Sequence, residues 1–157
     1  MNFEIKFIAV IFLSIMLLAC GFQLRGSIDA NFNSIYVYGG SEGLNKHLIK
    51  RFKQSGIKIE AKNPEKTIEI LNDQLNKRII SLSSSGSVKE YELDYQVTYR
   101  YKSSQGSWSD EILKRITRDY TYDDNDRVAK ELEEKNLVQG MRDEIVRSIV
   151  SQISVSR

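Results

Sequence analysis

The chain has 157 residues, with 23 Lys and Arg against 21 Asp and Glu, and it contains one Cys, one His and one Pro. That length makes a single domain the default, and a net charge of +2 is too small to point to nucleic acid or an anionic surface as the main partner. With 41% hydrophobic and 28% charged residues the composition is that of a folded chain; one Cys excludes an internal disulfide framework and a Cys-rich zinc site, and one His leaves little for a metal site or proton relay.

Phe7 to Ala19 form an apolar run broken only by Ser14, after a short start in which Lys6 and the free amine outweigh Glu4. Such a run is too short for a spanning helix of roughly 20 residues, and it fits the core of a signal peptide. It ends in Leu17-Leu18-Ala19-Cys20, which resembles the bacterial lipobox, whose Cys is lipidated before cleavage. Cys20 is therefore the expected lipid-attachment residue; the other reading makes it a buried small residue of an uncleaved anchor. Residues 1–19 are then signal peptide and 20–157 one domain. Two or more acyl chains, palmitate among them, give durable anchoring where one chain is marginal. Gly21 stands where many inner-membrane lipoproteins carry Asp, which favours the periplasmic face of the outer membrane.

Ile35-Tyr36-Val37-Tyr38 reads as a short strand closed by Gly39-Gly40. Ser41 then N-caps a helix whose Leu44, Leu48, Ile49 and Phe52 share a face, with Gly56 placed to end it. Its other face holds Lys46, Lys50, Arg51 and Lys53. Ile57 to Ala61 is a brief extended piece, and Asn63-Pro64 a turn. From Lys66 an imperfect period of two puts Ile68 and Ile70 on one face and Leu71, Leu75 and Ile79 on the other, which a bulge near Asn72 reconciles.

Ser81 to Ser87 is a flexible loop or hairpin tip. Beyond it Tyr91, Leu93, Tyr95, Val97, Tyr99 and Tyr101 alternate without exception with Glu92, Asp94, Gln96, Thr98, Arg100 and Lys102. After a turn at Ser103-Ser104-Gln105-Gly106, Ser107 to Tyr122 reads as a partner strand with Ile112, Ile116, Tyr120 and Tyr122 on one side. Asp123-Asp124-Asn125-Asp126 offers N-caps for a long helix to about Ile153. Val128, Leu132, Val138, Met141, Ile145, Ile149 and Ile153 keep roughly helical spacing, and Lys130 with Glu134, Glu131 with Lys135 and Asp143 with Arg147 are expected i, i+4 pairs. These elements predict an α+β two-layer sandwich: one mainly antiparallel or mixed sheet of about four strands, two helices on one face, and a polar opposite face.

The catalytic inventory is thin. His47 lies among basic residues with no carboxylate pattern or glycine loop nearby, which reads as a solvated or half-buried helix position. No phosphate loop, nucleophile elbow or Cys/His pair occurs outside the leader. Asp123, Asp124 and Asp126 lack the Gly and distal Glu of a calcium loop and read as helix caps. The chain is therefore expected to be non-enzymatic, with no cofactor and no metal. Lys46, Lys50, Arg51 and Lys53 have the chemistry to hold phosphates, although a charged helix face is more often simply solvated. The tyrosine stripe reads as core rather than a ligand platform.

Three segments carry a resemblance. Cys20-Gly21-Phe22-Gln23-Leu24-Arg25-Gly26 resembles the mature start of the lipopolysaccharide-assembly lipoproteins of the LptE family. Lys89-Glu90-Tyr91-Glu92-Leu93 is similar to that family's Glu-Tyr strand, and Ala129-Lys130 to its Ala-Lys element. The resemblance implies a plug seated in the lumen of an LptD-type outer-membrane barrel, assisting that barrel's assembly and binding lipopolysaccharide. It also implies lipopolysaccharide contacts at two positions. Lys130 matches the basic residue of the Ala-Lys element and is placed either as a point charge for a lipid A phosphate or as a surface partner of Glu134. Ser84 stands in the loop where some members carry a second basic residue, and it offers hydrogen bonds without charge. A binding module of another envelope complex, such as barrel assembly, is the rival reading, and an envelope hydrolase a more distant one.

Overall fold

The computed structural model describes residues 30–156. The elements run β1 (Ser34–Gly39), α1 (Glu42–Gln54), β2 (Lys58–Ile59), β3 (Lys66–Leu82), β4 (Val88–Ser103), β5 (Ile112–Thr121), a single 3-10 turn (Asp124–Asp126) and α2 (Arg127–Val155). They form one five-stranded mixed sheet of order β2-β1-β3-β4-β5. The α+β class is as expected. The strand count is five rather than about four, because Lys58–Ile59 in the brief extended piece pairs in parallel with Ser34 and Ile35.

β1 also pairs in parallel with the start of β3, from Ile35 beside Lys66 to Gly39 beside Ile70. β3, β4 and β5 are antiparallel. The bulge expected near Asn72 lies between Ile70 and Asn72. It changes which residues face inward: Ile68 and Ile70 before it, Asp73, Leu75, Lys77 and Ile79 after it, all paired with the tyrosine-bearing face of β4. β5 begins at Ile112 rather than Ser107. Ahead of it Ser109 occupies the backbone of Tyr101, donating its N–H to the carbonyl and accepting the Tyr101 N–H on its hydroxyl.

α1 begins as its sequence predicts, with the Ser41 hydroxyl accepting from the Leu44 N–H at 3.1 Å. It ends with Gly56 at φ +79°, the Gly56 and Ile57 N–H groups returning to Lys53 and Phe52. Gly39, at φ +77°, lies so close to the Ile70 carbonyl that a Cβ there would meet it at 2.2 Å, so the strand-to-helix turn requires glycine.

The core lies between the helices and one sheet face. Leu44, Leu48 and Phe52 of α1, Met141, Ile145, Ile149 and Ile153 of α2, and Leu93, Tyr95, Val97 and Tyr99 of β4 are buried. Val128 and Leu132 are not: they are 81% and 59% exposed. Val128 sits about five turns before the buried Val146, on the helix side that later packs on α1. α1 has 13 residues against 29 in α2, and its first turn lies beside Arg142, too far along α2 to cover them.

Candidate functional site

Three regions bear on function: the hairpin tip and the start of α2, which hold the two expected ligand residues; the outer sheet face; and the distal half of the β3–β4 hairpin. Cys20 lies outside the described residues.

Ser84 is exposed at the hairpin tip, a tight turn in which the Gly86 N–H reaches Ser83 and the Ser83 hydroxyl caps the Ser87 N–H. Lys130 is in the first turn of α2. Its ammonium donates to Thr121 Oγ1 at 3.1 Å and Glu133 Oε2 at 2.9 Å, and its side chain is 19% exposed. Register places both residues at the same end of the sheet, since Ser81 pairs with Glu90 and Glu90 with Thr121. Two strand spacings and three residues of chain separate Ser84 from Thr121, on the order of 15 Å. They flank a common end without touching.

The expected partner of Lys130 is corrected. Glu134 turns to the sheet, accepting from Lys77 Nζ at 2.6 Å and from the Tyr120 hydroxyl at 2.5 Å. Lys77 also sits 4.0 Å from the centre of the Tyr91 ring. Burial opposes the charge of Lys77, yet bonding to Glu134 and Tyr120 raises its pKa above the usual lysine range. Burial likewise opposes the Glu134 carboxylate, and Lys77 and Tyr120 hold its pKa below the usual value. The Tyr120 phenol is pushed up to about 12, first by burial and then by Glu134.

A second polar joint ties the sheet to α1. Asp73 accepts from the Tyr95 hydroxyl at 2.6 Å and from the Ser41 backbone at 3.2 Å, and the Ser41 hydroxyl also bonds it. A third closes the C-terminus of α2. Lys66 is buried with its ammonium on the carbonyls of Ile153 and Ser156 and the Ser156 hydroxyl, where burial lowers its pKa.

The outer sheet face is mainly polar over β3, β4 and β5, with Leu113 exposed opposite Thr98 as an apolar exception. The nearly buried Asp94 takes a two-pronged bond from Arg115 at 2.7 and 3.1 Å, which holds its carboxyl below the usual range. Arg78 pairs with Glu92, and Arg100 with Glu69. One corner departs from that polarity. Tyr36 and Tyr38 stack with ring centres 5.5 Å apart, and Trp108 lies under Arg100 and Lys102 at 4.6 and 4.9 Å. The alternation of Tyr36 and Tyr38 with the buried Ile35 and Val37 was the available signal for half of this corner. Trp108, in a loop, had none.

β1 covers only the first five residues of β3, so from Asp73 to Leu82 that strand, paired with β4 on one side, is an open sheet edge on the other among the described residues. Leu75 and Ile79 point to the helix side there yet remain 40% and 53% exposed, on either side of Lys77, which Glu134 of α2 does reach. Ile80 and Leu82 add further exposed apolar surface. Among the described residues no group of three His, Cys, Asp or Glu is arranged to hold a metal ion, and no helix is long and apolar enough to cross a membrane.

The family model for lipopolysaccharide assembly, LptE, matches residues 32–153. Among solved structures, the uncharacterized lipoprotein B of Nitrosomonas europaea superposes with a TM-score of 0.71 at 31% identity, over 85% of this chain and 90% of that one. The rare lipoprotein B of Shewanella oneidensis gives 0.69 at 26%, over 77% and 93%. A minor lipoprotein of Acinetobacter baumannii shares the fold, with a TM-score of 0.62 at 19% identity over 77% and 88%. No curated protein matches the chain in a sequence search.

Proposed function

The chain belongs to the LptE lipopolysaccharide-assembly family, and from that premise we propose that it is a lipid-anchored, non-enzymatic protein on the periplasmic face of the outer membrane. In this reading it complexes with an LptD-type barrel, helps that barrel assemble, plugs its lumen, and contacts lipopolysaccharide during export. The observation that carries the reading is the family match, which spans nearly all of the described domain.

The physical chemistry supports each part. A barrel lumen is polar, and the outer sheet face, with its Asp94–Arg115, Glu69–Arg100 and Arg78–Glu92 pairs, suits that environment. Leu75, Ile79, Ile80 and Leu82 on the uncovered hairpin offer apolar area for a partner to bury. An anchor on Cys20 would hold the domain at the membrane and raise its effective concentration for the barrel. Lys130 is an exchangeable lipid A contact. Its pair with Glu133 is a surface one, worth about 0–1 kcal/mol, which a phosphate competes with at little cost.

Depletion separates this reading from a role in another envelope complex. Loss of the protein should stop lipopolysaccharide reaching the cell surface while other outer-membrane barrels still assemble. Normal lipopolysaccharide export together with a general barrel defect would transfer the protein to barrel assembly.

A further inference from the structure

A groove of about 260 Å³ opens between α1 and α2, on the side of the helical layer away from the sheet. Its floor includes the buried Val146, and its polar lining includes His47, Lys50, Arg51, Gln139, Asp143 and Arg147. Helical spacing alone would pair Asp143 with Arg147. Instead Asp143 is turned across the groove to His47 Nδ1, 2.8 Å away, and Gln139 contacts it from its own helix at 3.3 Å. Lys50, Arg51 and Arg147 are left without an ion pair among the described residues. The Arg51 Nε is buried and bonds to nothing within the protein. Buried donors are ordinarily partnered, and three like charges lining one groove repel unless an anion joins them.

We propose that this groove binds a phosphate monoester. Apart from the His47–Asp143 pair, Lys50, Arg51 and Arg147 bring three cations to the groove, a concentration of charge that suits the nearly dianionic monoester better than a monoanionic carboxylate. Two guanidinium forks supply planar paired donors to phosphate oxygens, and Lys50 adds a mobile point charge. Gln139, already bonded to Asp143, fixes the carboxylate on His47 and away from the anion. The groove is separate from Lys130: Asp143 lies thirteen residues further along α2, about 20 Å at the helical rise. The inference therefore stands independently of any lipid A contact at Lys130.

The test is titration of the purified full-length protein with inorganic phosphate and glycerol 3-phosphate, with acetate at matched ionic strength, and separately with phosphatidic acid vesicles. Saturable binding of the soluble phosphates assigns a soluble ester. Binding to phosphatidic acid vesicles above that to phosphatidylcholine vesicles, which an acyl anchor enters equally, with no binding of the soluble phosphates, assigns a lipid headgroup. In either case Arg51→Gln with Arg147→Gln should weaken binding by about tenfold or more. Lys50→Gln, at an exposed position, should weaken it severalfold and serves if the double variant does not fold. No saturable binding from either source, acetate binding as tightly as phosphate, or full affinity in the folded arginine variant or in Lys50→Gln overturns the proposal.

Discussion

Lys77 and Glu134, from a strand and a helix far apart in sequence, meet at 2.6 Å beneath the Tyr91 and Tyr120 rings. Glu134 is also the acceptor of the Tyr120 hydroxyl, so one carboxylate fastens the start of α2 to both β3 and β5. Glu134→Gln should lower stability by about 1–2 kcal/mol, as for a lost charge-assisted bond that is partly solvated. The pH dependence follows from the depressed pKa of Glu134. Its contribution is complete above the unfolded carboxylate value, about 4.3, and is lost as pH falls through the lower folded value. Urea unfolding of wild type and variant should differ at pH 7 and converge in strong acid.

Lys66 is buried against the last carbonyls of α2, where a cation also meets the negative end of the helix dipole. Lys66→Ala should destabilise the protein by about 2–4 kcal/mol, through lost packing of the stem and unpartnered carbonyls. Lys66→Met, which keeps the stem, should cost less. Because burial lowers the folded pKa of Lys66, the unfolded chain holds its proton to higher pH. This group's contribution to stability therefore rises with pH between its folded pKa and about 10.4. Chemical denaturation of wild type and the two variants across alkaline pH checks both points, since only wild type carries the titrating group.

Lys130 and Glu133 make a prediction of opposite signs. Lys130→Ala should weaken lipopolysaccharide binding with a stability change of about 1 kcal/mol, since it loses a surface pair with Glu133 and one exposed bond to Thr121. Glu133→Ala should strengthen binding, because it frees the ammonium and removes a competing carboxylate. Binding measured on immobilised lipopolysaccharide, beside thermal melts of both variants, tests this; an unchanged affinity in both would confine Lys130 to its pair.

Cys20→Ala should abolish lipidation and leave an uncleaved precursor outside the outer-membrane fraction. Mass spectrometry of the native N-terminal peptide should show the acyl chains on Cys20, and normal fractionation of the variant would remove the anchor from the account.

Much of the fold is legible in the sequence where one local pattern dominates. The unbroken alternation of β4, the Ser41 cap, the Gly56 stop and the shift of face near Asn72 each depend on residues within a few positions of one another. Long-range choices are not legible in the same way. Glu134 leaves Lys130 for Lys77 and Tyr120, and Asp143 leaves Arg147 for His47, because tertiary neighbours come nearer than the helical partner. Val128 and Leu132 keep helical spacing yet stay exposed, since periodicity gives a face but not the length of the helix that covers it. Lys66 reads as the polar start of a strand, and only the folded chain brings the end of α2 to it. Of the candidate ligand residues, the structure sets Ser84 and Lys130 at one end of the sheet.

The most direct measurement is affinity purification of the full-length protein, expressed at its natural level, from detergent-solubilised outer membranes. One-to-one recovery of an LptD-type barrel is expected, with crosslinks from the outer sheet face and the Asp73–Leu82 edge. Recovery of the folded protein without that barrel, from cells in which the barrel is present, would contradict that partnership.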